Sequence, residues 1–290
     1  MREQETDDLV DFVKKTAGDF LLNTRVLTVE VFKLSAPFVT HGAISALSFT
    51  SSLAATQAIG RLCRVSCATP ILGPALGTLG VGTSAVIAGQ ASATFSHWRV
   101  TGNLPPMHGS LGLPVAPQRD LDYVVDALIG VAFYRILGGR LASVLPSDLR
   151  FAGALARESI RAPGSSYANE VQRAELRMLF KRFGCHHCGT RRGDVVGDHM
   201  PPNKFMKESL DKISKGPMNM GKVFSSFRFK LPRGKIVQRY YPQCSDCSNR
   251  QGAAIRQNTQ RLQMHFGGFQ HSSLAAIVLG MRYYHPLYPA

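Results

Sequence analysis

Cys185-His-His-Cys188 and Cys244-Ser-Asp-Cys247 are separated by 55 residues. Two such pairs supply the four thiolates that a closed tetrahedral zinc site needs. Each pair is flanked by turn-forming residues, Gly184 and Gly189 at the first, Pro242 and Asn249 at the second. That setting suits two knuckles gripping one ion better than a thioredoxin-like dithiol. The expectation is a structural zinc ion held by Cys185, Cys188, Cys244 and Cys247, whose binding is largely folding free energy. His186 and His187 lie inside the first pair, and with four sulfurs completing the shell they read as surface residues or outer support. Cys63 and Cys67 stand apart with a different spacing and read as buried small apolar residues. Paired, metal-ready thiols suit a reducing, intracellular compartment rather than a disulfide framework.

Between the pairs the chain reads Gly197-Asp198-His199-Met200-Pro201-Pro202. The order Cys-x-x-Cys, Asp-His, Cys-x-x-Cys resembles the zinc-containing HNH nucleases of the His-Me finger superfamily, over residues 180–265 or thereabouts. The resemblance implies a hairpin followed by a helix (ββα), with a catalytic divalent ion separate from the zinc. It makes His199 the general base that takes a proton from the attacking water, and Asp198 an oxygen ligand to Mg²⁺ or a similar ion. These residue types suit the tasks, because imidazole titrates near neutral pH and a hard cation favours carboxylate oxygen. The family often has a histidine directly after the last zinc cysteine, and Ser248 stands there instead. Asn249 is the best substitute as second ligand, with Gln251 and His265 behind it. Read without the resemblance, Gly-Asp-His before two prolines is an Asx-type turn capping a strand.

The charge is uneven. Of a net +15, residues 176–290 contribute 19 Lys/Arg against 5 Asp/Glu. A basic excess confined to one domain attracts nucleic acid through its phosphates, and anionic lipid headgroups by the same charge. Much of the excess lies between His199 and Cys244, where Lys204, Lys207, Lys212, Lys215, Lys222, Arg228, Lys230, Arg233, Lys235 and Arg239 alternate with Phe224, Phe227, Phe229, Tyr240 and Tyr241. That stretch is longer than the compact family pattern. It suits phosphate contacts with base stacking, or equally an aromatic strand with solvated lysines outside.

The elements that must carry these residues follow from hydrophobic period. Residues 1–35 read as one or two amphipathic helices, with no cleaved targeting signal. Between Glu30 and Asp120 there is no acidic residue, and two uncharged runs, 34–60 and 65–98, are separated by Arg61-Leu-Cys-Arg64. Each exceeds the roughly 20 residues that cross a bilayer, and the second spaces its small residues as packed membrane helices do. A soluble bundle with tight small-residue contacts is the other reading. Pro105, Pro106, Pro114 and Pro117 mark 103–119 as a linker; 120–145 and 167–183 resume helical patterns, the latter capped by Ser165 or Ser166. A final helix is expected over 248–264, with Arg250, Arg256 and Arg261 available for phosphate.

These readings combine into an α+β chain: an amphipathic segment (1–35), an apolar and membrane-associated helical region (36–162), and a zinc-bound basic ββα domain (163–290). The functions that fit are a metal-dependent nuclease attached to a membrane, a non-catalytic zinc module that binds nucleic acid or protein, and a membrane protein or toxin-like effector with the zinc domain as appendage.

Overall fold

The computed structural model describes residues 35–108, 113–207, 237–267 and 270–283. Nearly all of the expected N-terminal amphipathic segment, most of the basic arm (208–236) and His285 lie outside those residues. The described residues are α+β, with seven helices and small sheets. In order it forms α1 (35–62), α2 (Leu72–Thr101), β1 (Met107–His108), β2 (Leu113–Pro114), α3 (Asp120–Ile136), a 3-10 turn (Leu141–Val144), β3 (Ser147–Asp148) and β4 (Ile160–Arg161). There follow α4 (Glu170–Phe183), β5 (Val195–Met200), α5 (203–207), β6 (Arg239–Cys244), α6 (Ser245–Arg256), β7 (Leu262–Gln263) and α7 (Gln270–Arg282).

Helices α1, α2, α3 and α7 pack around Phe49, Leu53, Val81, Ala85, Ala88, Tyr134, Ala276 and Leu279. Pro74 is tolerated because it falls in the first turn of α2, where a missing N–H breaks no helical bond. The helix stops at Gly102, which takes the left-handed conformation and returns its N–H to the Trp98 carbonyl. The interior is built from small and hydroxyl residues. A Cβ on Gly130 would stand 2.2 Å from the Ala85 Cβ, so only glycine lets α3 come this close to α2. Ser84 Oγ donates to Ser52 Oγ at 3.0 Å, Ser45 Oγ to the Ala88 carbonyl at 3.2 Å, and His41 Nδ1 lies 2.8 Å from Ser92 Oγ. Arg282 of α7 pairs with Asp126 and Asp122 of α3, and Tyr283 adds a hydrogen bond to Asp126. Large apolar side chains meanwhile point outward: Leu47, Leu62, Leu79, Leu121, Leu128 and Ile136 are each more than 60% exposed. Helix α2 is long and apolar enough to cross a membrane.

The second part is centred on β5 and β6, paired antiparallel from Val195↔Cys244 to Met200↔Arg239, with β4 on the far edge of β6. Helix α6 follows β6 directly. Two cores flank the sheet, one of Ile160, Ala162, Ala168, Leu176 and Tyr240, the other of Leu149, Phe180 and the buried cysteines. Strand pairs β3–β7 and β4–β6 join residues 147–161 to the C-terminal part, while α7 packs on α2 and α3.

Several boundaries differ from the sequence expectation for identifiable reasons. Helix α3 ends at Ile136 rather than running to Leu145, because Gly138 turns left-handed (φ 86°) and a Cβ on Gly139 would strike the Tyr134 ring at 2.4 Å. Helix α4 starts at Glu170: Asn169, not Ser165 or Ser166, accepts from the Gln172 N–H and receives the reciprocal contact, a full capping box. Helix α6 starts three residues early, at Ser245, with the Cys244 sulfur as cap, and ends at Arg256, where Asn258 (φ 50°) turns the chain into β7. The 103–119 linker contains the small β1–β2 hairpin. Cys63 is exposed rather than buried, because it sits on the turn that ends α1.

Candidate metal centre

The first cysteine pair lies on a tight turn between α4 and β5. Gly184 and Gly189 both take positive φ (81° and 80°), the Gly189 N–H bonds the Cys185 carbonyl at 2.8 Å, and the Cys185 N–H bonds the Thr190 carbonyl at 2.8 Å. A Cβ on Gly184 would stand 2.4 Å from the Gly189 carbonyl oxygen, so the turn closes only without side chains there. The second pair straddles the start of α6. There the Cys244 sulfur accepts from the Cys247 N–H at 3.5 Å, and the helix N-terminus lends partial positive charge to the thiolates. Pairing of Val195 with Cys244 brings the two turns together.

The result is a cluster of four sulfurs, all within 4.8 Å of one another, that can hold a metal ion such as zinc. Cys188 Sγ and Cys244 Sγ are 3.7 Å apart. A tetrahedral ion with metal–sulfur bonds of about 2.3 Å would space its ligands about 3.8 Å apart, so the donor set fits. The sulfurs share protons accordingly: S–H groups of Cys188 and Cys247 directed at Cys185 hold its thiol far below the ordinary range, while the same contact pushes Cys188 up to about 12.

Asp198 and His199 are adjacent on β5, so their side chains leave opposite faces of the sheet. His199 turns toward Tyr240, its cross-strand partner, at a ring separation of 4.6 Å; its Nε2–H donates to the Ser166 carbonyl at 2.9 Å, and Tyr240 Oη–H donates to that same carbonyl. Asp198 turns the other way and is buried. The Gln251 amide donates to its Oδ2 at 2.9 Å and to the Leu149 carbonyl at 2.9 Å. Burial, opposed by nearby His187 and the Gln251 hydrogen bond, raises the Asp198 carboxyl to about 7. Asn249 is exposed on α6. At about 100° per residue it lies some 200° around the helix from Gln251, so Gln251 and not Asn249 is the α6 side chain that reaches Asp198. Ser248 is half-buried.

His186 and His187 are not surface residues. They are 1% and 0% exposed, with ring centroids 3.9 Å apart and planes tilted by 38°, and lie against Asp198. Burial holds His186 down at about 4 and His187 at about 3, so both rings are neutral at pH 7. The sequence signal for them was their place inside the knuckle: a turn clamped to the end of β5 and β6 must aim its middle residues at those strands. The His186 N–H indeed bonds the Pro242 carbonyl of β6 at 3.0 Å. His265 is remote from this cluster; it bonds Gln57 of α1 through its backbone and the Leu145 carbonyl through Nε2.

On the other side of Leu149 opens a cavity of about 450 Å³, lined by Arg61, Arg64, Arg250 and Arg261 together with Gln260 and Gln263. The guanidinium contacts there are to neutral groups: Arg250 to Gln263 Oε1 at 3.0 Å, Arg261 to Gln257 Oε1 at 3.0 Å, and Arg61 to the Met264 sulfur. Among the described residues no carboxylate lines it. Arg61 and Arg64, which in the sequence only divided two apolar runs, thus stand beside arginines almost 200 residues away. No protein family, curated protein or solved structure matches the chain.

Proposed function

We propose that the chain is a membrane-attached, zinc-clamped module that binds phosphate-bearing polyanions, with nucleic acid as the partner. The observation that carries this reading is the arginine cavity: four arginines line one space and, among the described residues, no carboxylate lines it with them. Guanidinium forks match phosphate oxygens bidentately, and α6, which supplies Arg250, is fixed to the sheet by the cysteine cluster. Zinc is the metal that four thiolates in tetrahedral array select. Membrane attachment is supported by the apolar length of α2 and by leucines and isoleucines of α1, α2 and α3 that face outward, while many small and hydroxyl residues pack inside beside Phe49, Leu53 and Leu279.

The test is fluorescence anisotropy on the full chain in detergent, with labelled single- and double-stranded DNA and RNA over a salt series. Arg250→Gln with Arg261→Gln should weaken binding and reduce the salt slope by about 2, one per lost phosphate contact. No binding by the wild type, or a slope indifferent to the double substitution, refutes the reading. Alkaline carbonate extraction tests the attachment: release into the supernatant excludes integral insertion.

A second reading, metal-dependent phosphodiester hydrolysis in the manner of HNH nucleases, has one specific observation in its favour. Donation from His199 Nε2 to the Ser166 carbonyl leaves the ring's lone pair on Nδ1, which is the form a general base requires. The order β5, β6, α6, with one cysteine pair ahead of β5 and the other at the junction of β6 and α6, also agrees with that resemblance. Divergence of Asp198 and His199 onto opposite faces, and exposure of Asn249, favour binding over cleavage. Cleavage of DNA or RNA with Mg²⁺ or Mn²⁺ that disappears in His199→Ala would reverse that ranking.

A further inference from the structure

His187 is a fully buried imidazole with no hydrogen-bond partner at either ring nitrogen among the described residues. Buried polar atoms are almost always paired, so an orphan of this kind asks for a ligand. Its Nε2 lies 4.0 Å from Asp198 Oδ2, and His186 Nε2 lies 3.0 Å from the same oxygen yet out of line for a hydrogen bond, so it too is unpartnered. Both imidazoles thus stand beside one carboxylate without a hydrogen bond to it. The three ligand atoms lie within 4.8 Å of one another. An ion at about 2.0–2.1 Å from imidazole nitrogen and carboxylate oxygen spaces neighbouring ligands about 3.0–3.4 Å apart, which the His186–Asp198 separation already meets.

We propose that His186, His187 and Asp198 form a second metal site, distinct from the four cysteines, for a divalent transition-metal ion. Two imidazoles with one carboxylate favour Zn²⁺, Fe²⁺, Co²⁺ or Ni²⁺ over Mg²⁺ and Ca²⁺, which prefer an all-oxygen shell. Gln251 provides the outer support such sites use, fixing the Asp198 carboxylate while anchored to the Leu149 carbonyl. The Gly153 N–H donates to His186 Nδ1 at 3.1 Å, which puts the neutral ring's proton on Nε2. Coordination through Nε2 moves that proton to Nδ1 and gives up the Gly153 contact. His187, with neither nitrogen engaged, and Asp198 are therefore the primary pair, and His186 is the third donor. This site depends neither on polyanion binding nor on cleavage.

The test is metal stoichiometry of the full chain by native mass spectrometry and elemental analysis, after loading with Zn²⁺ or Co²⁺ and removal of free ion. The wild type should retain two ions, and His187→Asn and Asp198→Asn one each. The cobalt form reports which site is lost: both variants should keep the intense thiolate-to-cobalt absorption of the cysteine site and lose only the weaker nitrogen–oxygen bands. Retention of the thiolate bands also shows that the variant is folded. One ion in the wild type overturns the proposal whatever the variants do, as does a second ion that survives both substitutions.

Discussion

Stripping the cysteine-bound ion should unfold the sheet-and-helix part while leaving the helical bundle standing. The perturbation is a thiol-competent chelator, or Cys185→Ser, which preserves size and removes one sulfur. Among the described residues, the hydrophobic cluster around the sulfurs has two large apolar side chains, Leu149 and Phe180, with Val195 at its margin. Full burial of such side chains contributes about 1.5–3 kcal/mol each, so the cluster's own hydrophobic contribution is about 3–6 kcal/mol. Apparent zinc binding in small thiolate motifs is worth about 10–16 kcal/mol, most of it folding free energy. A domain of ordinary stability, about 5–15 kcal/mol, does not survive that subtraction. Hydrogen exchange resolved by peptide is the assay. Amides of 185–200 and 239–256 should lose protection on chelation, while those of α2 and α3 keep theirs. Cys63→Ser, at an exposed thiol, is the control and should change stability by less than about 0.5 kcal/mol. If metal removal is verified and the 239–247 amides remain protected, the ion is not what holds this part together.

Two further outcomes follow from the packing. Gly130→Leu forces a side chain into the space of Ala85 and should cost at least about 1–3 kcal/mol by overpacking, seen as a lower melting temperature of the bundle, whereas Gly102→Ala, with nothing within 4 Å, should fail only through its left-handed backbone. Burial lowers His265 from 6.5 to about 4, opposed by its bond to the Leu145 carbonyl; the unfolded chain therefore binds the extra proton first, and this contribution is complete above pH 6.5 and lost as pH falls toward 4. At pH 5 the loss is about 2 kcal/mol, and the fall in melting temperature between pH 7 and 5 should shrink in His265→Gln; an unchanged slope would show that His265 is not buried as a neutral ring.

What the sequence disclosed and what it hid divide along physical lines. Four cysteines are legible because thiolate pairs have few other uses, and the basic C-terminal half because charge is additive. Asp198 stands out in the sequence and Gln251 is a candidate beside it, ranked behind Asn249, but which side chain meets Asp198 is not legible there. That depends on the pleat of β5, which sends Asp198 and His199 apart, and on the phase of α6, which turns Gln251 inward and Asn249 out. Neither is a property of composition, and a one-residue change in register would have reversed both. His186 and His187 are not legible as inward-facing because four cysteines complete a metal shell without them, and only the pinning of the knuckle to β6 aims the two central rings at those strands. Helix ends erred where glycine or asparagine took a left-handed conformation, at Gly138 and Asn258, since hydrophobic period runs on past such residues.

The two parts of the molecule are joined at a polar seam, and the seam bears on how they work together. Gln57 of α1 exchanges two hydrogen bonds with the His265 backbone, Cys67 bonds the Pro146 carbonyl at 3.0 Å, and the Gln260 amide bonds the Arg64 carbonyl at 3.1 Å. All lie around the turn between α1 and α2. On that turn Ile59, Leu62, Ile71 and Leu72 are exposed beside Arg61 and Arg64, so an apolar surface gives way to positive charge within one turn of helix. Such a boundary is where a bundle would pass from hydrocarbon to headgroups, with arginine at the level of the phosphates. The same two arginines line the cavity with Arg250 and Arg261. A phosphate bound there would touch the bundle and the helix that carries Cys247 at once. The cysteine cluster at the start of that helix and the packing of the bundle therefore converge on one set of guanidiniums. Loss of either support should loosen the cavity even though neither supplies all of its charge.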